Sequence, residues 1–345
     1  MSPLTLIIVL VSLLLGTTLT ITSSHWLLAW TGLEINTLAI IPLMIKNHHP
    51  RATEATTKYF LTQATASTLI LFSTMTNAWL TGEWELKELS TLPSNMMTIA
   101  LLMKLGVAPM HFWLPEVLQG VDLTTGLILS TWQKLAPMSL MFMIHNSLNP
   151  TLLMTLGLTS ILLGGWLGLN QTQLRKIMAS SSIAHLGWMM IILPLSPPLF
   201  ILNIIIYIIM TSALFLSMMF FNMTKFNSLT TSWSKTPTLA ISSSILLLSL
   251  GGLPPTTGFM PKWLILQELT KQHFLTMATL MAISALLSLF FYLRMSYSLA
   301  LTQSPSTINS QVTWRLKPNQ PTTALTLMTI LSLTLLPLTP YFIMT

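Results

Sequence analysis

The stretch HWLLAWTGLEINTLAIIPLMI, from His25 to Ile45, is an apolar run of membrane-crossing length with one carboxylate at its middle. About 20 apolar residues in helical conformation span a bilayer core. Glu34 stands nine residues from one end of the run and eleven from the other, which places it near the midplane. A central ionisable residue costs roughly 2.5 to 3.5 kcal/mol on insertion scales, so it faces a bundle interior or a wet cavity and has a partner. The run therefore predicts a bundle of membrane helices holding at least one more buried charge.

Composition agrees with that reading. The 345 residues are 52% hydrophobic and only 7% charged, with a mean hydropathy of +0.72, too apolar for a soluble core with a solvated surface. The first segment, PLTLIIVLVSLLLGTTLTI, has no basic residue before it and no small-residue cleavage site after it. It is expected to be a retained transmembrane helix and not a signal peptide. The absence of cysteine excludes disulfides, thiol chemistry and iron–sulfur ligation by cysteine. The pI is near 9.8, but the basic residues lie in short loops between apolar runs and not on one soluble face, which argues against nucleic acid as a partner.

Hydropathy windows predict eleven spans, near 3–21, 25–45, 59–80, 93–118, 124–145, 150–170, 174–194, 197–221, 238–270, 275–300 and 323–343. The expected class is an all-α polytopic membrane protein with one membrane domain over 1–345. Its parts are a first helix repeat (1–145), a second (150–300), and a loop with a final helix (301–345). Two spans are interrupted: the fourth by Gly106 and Pro109, the ninth by Gly251, Gly252, Pro254 and Pro255. These residues remove helix propensity and backbone donors, so both helices should be discontinuous, as a membrane tolerates only beside protein or a wet cavity. Gly/Pro breaks at corresponding places in two halves mark transporter sites. The broken spans are five helices apart, and five is odd, so a repeat of helices 1–5 in 6–10 would be inverted. Lys104 and Lys262, each beside a break, would then be symmetry mates.

Loop charge gives the orientation. With the N-terminus on side A, that side collects Lys46, Arg51, Lys58, Arg175, Lys176, Lys225, Lys235, Arg294, Arg315 and Lys317, while side B collects Lys87 and Lys271. The bias places the N-terminus in the cytosol-equivalent compartment. Two glycosylation-type sequences, NQT at 170–172 and NMT at 222–224, fall on side A and are read as unmodified.

Glu34, Lys104, Lys134 and Lys262 remain inside spans, with His185 in the middle of the seventh and Ser181 one turn before it. A lone carboxylate–lysine pair can be structural, and a histidine bonded to a serine of its own helix is often a satisfied core residue. One carboxylate neutralises only one lysine, however. Burial and neighbouring charge can bring the other amines to where they take up and release a proton near neutral pH. Such a row reads as a proton relay. No GxGxxG before a strand, no HExxH and no cysteine set is present, so the chain is expected to bind no cofactor and no metal. His48-His49 lacks further ligands.

The stretches SSHWLLAWTGLEINTLAIIPLMIKNHHPRATEATTKYFLTQATAS, MKLGVAPMHFWLPEVLQG, TWQKLAPM, LNQTQLRKIMASSSIAHLGW and GGLPPTTGFMPKWLILQEL together resemble the subunit 2 family of respiratory complex I, the proton-translocating NADH:ubiquinone oxidoreductase. The resemblance covers essentially the whole chain. It implies an antiporter-like fold, the mitochondrial inner membrane with side A as the matrix, and other membrane-arm subunits, antiporter-like neighbours among them, as partners beside membrane lipids and protons. It implies that Glu34 pairs with Lys104, that Lys134 is central and that Lys262 leads to the far side. NADH, FMN, iron–sulfur clusters and ubiquinone would be used elsewhere in the complex. The bacterial relatives carry three further N-terminal helices, so contacts at that flank do not transfer. The polar loop 301–322 reads equally as a subunit contact or a plain connector. Two other classes are a stand-alone cation/proton antiporter and a purely structural membrane subunit.

Overall fold

The computed structural model describes residues 2–46, 48–86, 89–230, 232, 236–254, 256–300 and 322–338. Lys87, Lys235, Pro255, Arg315, Lys317 and the loop at 301–321 lie outside them. The fold is all-helical. The chain divides into two compact units, Met1–Ser160 and Ile161–Thr345.

The first unit holds α1 (Pro3–Thr22), α2 (Trp26–Met44), α3 (Pro50–Thr81), α4 (Thr91–Leu105), α5 (Trp113–Gly120), α6 (Leu123–Ser130) and α7 (Trp132–Met143). The Ser2 hydroxyl and Pro3 start α1 by satisfying and removing orphan donors. Its buried residues Val9, Leu13, Gly16, Thr17 and Thr20 form one stripe, and Ile7, Val11, Leu14 and Leu15 outside that stripe are exposed. The stripe packs on α2 through Gly16 and Gly32. A Cβ on Gly16 would stand 2.9 Å from Gly32 O, and one on Gly32 would stand 2.9 Å from Gly16 O, so the backbones touch where small residues allow it. The Asn36 amide, in its hydrogen-bonding orientation, donates to Leu13 O (2.9 Å) and accepts from Thr17 N (3.3 Å) on α1.

At 32 residues α3 is about 48 Å long, longer than a bilayer core. Its first turns, with Arg51, Glu54 and Lys58, therefore project beyond the membrane. The His49 ring nitrogen accepts Arg51 N (3.1 Å) and caps this end. The fourth and fifth spans are both segmented, since α6 stops at Ser130 and α7 begins at Trp132. This second break was not among the expected ones.

α8 (Pro150–Gly168) runs through the boundary between the units. The second unit continues with α9 (Leu174–Ile192), α10 (Pro197–Phe221), α11 (Phe226–Thr230), α12 (Pro237–Gly251), α13 (Phe259–Lys271), α14 (Leu275–Ala300) and α15 (Thr323–Thr334). α9 is its axis. Every residue from Ile177 to Ile192 is buried, because α10, α13 and α14 all pack against it. Gly164 of α8 makes its own close approach there, with room for no Cβ against Ala184 N (2.7 Å).

Among the described residues, five helices, α1, α2, α8, α10 and α14, are long and apolar enough by themselves to cross a membrane. The fourth and ninth spans are made of paired shorter helices. The two units also share local detail. In the first, the turn before α2 pairs with the loop before α4 through Trp26 N to Trp84 O (3.1 Å) and Leu86 N to Ser24 O (3.2 Å). In the second, Leu174 N to Thr224 O (3.2 Å) and Phe226 N to Thr172 O (3.3 Å) make the corresponding bridge.

Candidate functional site

The break after α4 begins with Gly106 at φ +78, a left-handed C-cap that favours glycine. Val107 N bonds Leu102 O (3.0 Å) to close the motif. Two carbonyls of the last turn receive side-chain donors: Trp113 Nε1 reaches Met103 O (3.1 Å), which also accepts Gly106 N (3.2 Å), and Gln63 Nε2 reaches Lys104 O (3.4 Å). Pro109 lies in the turn before α5. The helix end is thus fixed by α5 and by one stripe of α3, on which Ala55 meets Gly120, the Tyr59 ring meets Trp113 edge-on (5.7 Å) and Gln63 meets Lys104.

Lys104 sits in that last turn, beside the negative end of α4, and is 6% exposed. Its Nζ has no hydrogen-bond partner, and neither has the buried Oε2 of half-buried Glu34. The expected Glu34–Lys104 ion pair is therefore corrected: the two groups lie within Coulombic reach but make no direct bridge among the described residues. Two buried charges without contact call for water between or beside them.

Lys134 is also 6% exposed. It stands in the first turn of α7, just after the Thr131 break. Thr131 and Ser130 both turn their hydroxyls back to Leu127 O (2.7 and 3.1 Å). Pro137 removes the donor that Gln133 O would otherwise receive. Gln133 Nε2 bonds Asn36 O (3.2 Å), tying this break to the helix of Glu34. A cavity of about 20 Å³ lies between these elements, lined by Lys104, Lys134, Tyr59, Gln63, Gln133 and Thr37. It has room for about one water among several polar groups.

In the second unit His185 is buried on α9 with its ring 5.6 Å from that of Tyr207. The Ser181 hydroxyl donates to Met178 O (2.7 Å), within its own helix. The ninth span breaks at Gly252, φ +80, with Leu253 N on Leu248 O (3.3 Å), and resumes at Phe259 after Pro254. Lys262 returns to the break, and its Nζ donates to Gly251 O (2.9 Å) and Leu250 O (3.3 Å), capping α12. A second expectation is corrected here. Lys104 lies two residues before its capping glycine and Lys262 ten after, so they are not equivalent positions. Counted from the glycines, Leu250 answers to Lys104 and Glu116 to Lys262.

Outside the membrane, Lys58 Nζ bridges Glu54 and Glu116 at 2.6 Å each, fastening α5 to α3. The Lys58 hydrogen bond holds the Glu54 carboxyl below its usual range. The Glu116 and Glu54 hydrogen bonds raise the Lys58 ammonium. No cluster of three or more metal-ligating side chains occurs among the described residues.

Known proteins share this arrangement of helices. A family profile described as NADH:quinone oxidoreductase/Mrp antiporter, TM, matches residues 23–288, and one described as NADH dehydrogenase subunit 2 C-terminus matches 289–343. NADH-ubiquinone oxidoreductase chain 2 of Latimeria chalumnae is 62% identical over 341 residues, covering 99% of this chain and 98% of its own. The protein of the same name from Xenopus laevis is 62% identical, covering 99% of each. A chain of respiratory complex I from Thermus thermophilus superposes with a TM-score of 0.82 at 24% identity, over 95% of this chain and 78% of that one, a likeness of fold.

Proposed function

This chain belongs to the NADH-ubiquinone oxidoreductase chain 2 family, and from that premise we propose that it carries a proton path through the membrane arm of respiratory complex I. It is a multi-pass membrane subunit of the proton-translocating NADH:ubiquinone oxidoreductase and works beside other membrane-arm subunits. The observation that carries the proposal is the small cavity touched by both Lys104 and Lys134, with Glu34 in Coulombic reach of Lys104.

The mechanism is electrostatic. A change of charge at Glu34 or Lys104 acts on Lys134 across a low-dielectric interior, where two charges several Å apart interact by a few kcal/mol at an effective dielectric of about 20. That alters the proton affinity of Lys134, and water in the cavity provides the contact through which a proton moves. In the second unit we assign His185 and Lys262 to the same path. Redox chemistry with NADH, FMN, iron–sulfur clusters and ubiquinone is assigned in this reading to other parts of the complex.

We further read eleven crossings in the mitochondrial inner membrane, N-terminus on the matrix side, as two inverted five-helix repeats, 1–145 and 150–300, and a final helix within 301–345. The matched loop bridges and the matched capping glycines support the repeats. The test of the path is Lys134→Ala in the assembled complex. Assembly should persist while NADH-driven pumping and, by coupling, quinone turnover fall; full pumping by an assembled variant would refute the relay. A chain migrating on a mild-detergent native gel apart from NADH-oxidising activity would favour a free cation/proton antiporter.

A further inference from the structure

Between His185 and Lys262 the second unit contains a set of hydroxyl groups that nothing above uses. Tyr292 of α14 is 1% exposed, and its hydroxyl has no hydrogen-bond partner. A buried hydroxyl left unpaired costs about 1 to 3 kcal/mol, which a packed core does not retain without something to offset it. The ring is held firmly, tilted against Phe291 at 4.5 Å. Its Cβ lies 3.7 Å from where a Cβ on Gly251 would be, and the Gly251 carbonyl is the one that receives Lys262 Nζ. The Cβ end of Tyr292 therefore stands next to the α12 terminus that Lys262 caps.

On the other side the hydroxyl faces Ser181 of α9. That serine's own proton goes to Met178 O, which leaves its oxygen lone pairs as the available function. One residue on, Ser182 is engaged the same way with Ala179 O (2.8 Å) and faces the hydroxyl of buried Tyr207. Tyr207 and Tyr292 are in electrostatic contact, and the Tyr207 ring is the neighbour of His185. The order across the unit is His185, Tyr207, Ser182 and Ser181, Tyr292, and then the α12 terminus with Lys262.

We propose that the Tyr292 hydroxyl, with Tyr207 and the Ser181–Ser182 pair, is the proton-carrying connection between His185 and Lys262. This rests on the proton-path reading above and adds residues to it. In each transfer a hydroxyl oxygen accepts a proton on a lone pair while its own O–H proton leaves for the next acceptor; at Ser181 and Ser182 the O–H must first rotate off Met178 O and Ala179 O. Each tyrosine ends neutral, and rotation of the new O–H resets it. From the Tyr292 hydroxyl, water along the ring completes the chain towards the Lys262 ammonium.

The test is Tyr292→Phe in the assembled complex, which removes the oxygen and keeps the ring that packs on Phe291. Proton-coupled NADH:quinone turnover should fall about tenfold, less than the roughly hundredfold of a positioned proton-transfer group because water can enter the vacated space. The solvent deuterium isotope effect on turnover should increase, a readout that altered packing alone would not move. Tyr207→Phe should do the same, and it decides the matter if Tyr292→Phe fails to assemble. Wild-type turnover and isotope effect in an assembled variant overturn this connection. Lys134→Ala measured in parallel separates the two claims: a defective Lys134→Ala beside a normal Tyr292→Phe sinks only the tyrosine path, whereas full pumping by Lys134→Ala sinks the relay as a whole.

Discussion

Two adjacent glycines at the end of α12 should respond very differently to the same substitution. Gly252 has φ +80, and a Cβ there would lie 2.8 Å from Lys262 Cδ and 3.0 Å from its Nζ. Gly251 is helical, and its Cβ would make ordinary 3.7 Å contacts with Tyr292. Gly252→Ala places an L-residue in the left-handed region, at about 1 kcal/mol or more. It also pushes the ammonium off carbonyls it holds at 2.9 and 3.3 Å, and losing one charge-assisted bond adds roughly 1.5 to 3 kcal/mol. The total, about 3 kcal/mol, corresponds to more than a hundredfold in a local opening equilibrium. Gly251→Ala should stay within about 0.5 kcal/mol of wild type, since it adds helix propensity and meets no close atom. Native-state hydrogen exchange on the detergent-solubilised complex reads both. Amides in 252–262 should exchange about a hundredfold faster in Gly252→Ala and at the wild-type rate in Gly251→Ala. Equal exchange in the two variants would refute the argument that Lys262 holds this helix end.

Further outcomes follow from contacts elsewhere. Gly16→Ala forces a methyl group against Gly32 O and the Asn36 amide, an overpacking of about 1 to 3 kcal/mol that should lower the thermal stability of the complex; unchanged stability would mean that α1 and α2 do not cross at these glycines. The Lys58 bridge sets a pH window. The lowered Glu54 carboxyl contributes above the ordinary carboxylate value and loses that as pH falls through its own, while the raised Lys58 ammonium contributes below the ordinary lysine value and loses that as pH climbs through its own. Exchange protection of the first turns of α3, corrected for intrinsic rates, should be flat between about pH 5 and 10 and decline below about pH 4; a decline centred near neutrality would refute it.

What the sequence disclosed, it disclosed through cost. A charge at mid-span is expensive in any packing, so Glu34, Lys104, Lys134 and Lys262 stood out from hydropathy alone. Gly106, Gly251 and Gly252 stood out because glycine beside proline ends helices. The features that escaped depend on which side chain reaches which backbone atom. The Thr131 break had a faint signal in Ser130, Thr131 and Pro137, residues ordinary enough in membrane helices to pass. Asn36 read as one polar residue in an apolar run, and only the structure shows it inserted against the Leu13–Thr17 turn of α1. Nothing in the sequence sets Tyr207 and Tyr292 apart from the other aromatic residues of the spans. The separation of Glu34 from Lys104 is a matter of rotamers and interhelical distance, to which a spacing rule is blind.

The central position of α9 in its unit has its own consequence. A transmembrane helix ordinarily has a face turned to lipid, where one apolar residue can replace another with little effect. From Ile177 to Ile192 this helix has no such face. Each exchange of leucine for isoleucine, or of serine for alanine, there changes the shape of the interior that surrounds His185, whereas the same exchange on the exposed side of α1 leaves the interior of its own unit unchanged. Chance substitution is thus a packing event all along α9, whether or not the altered residue handles a proton.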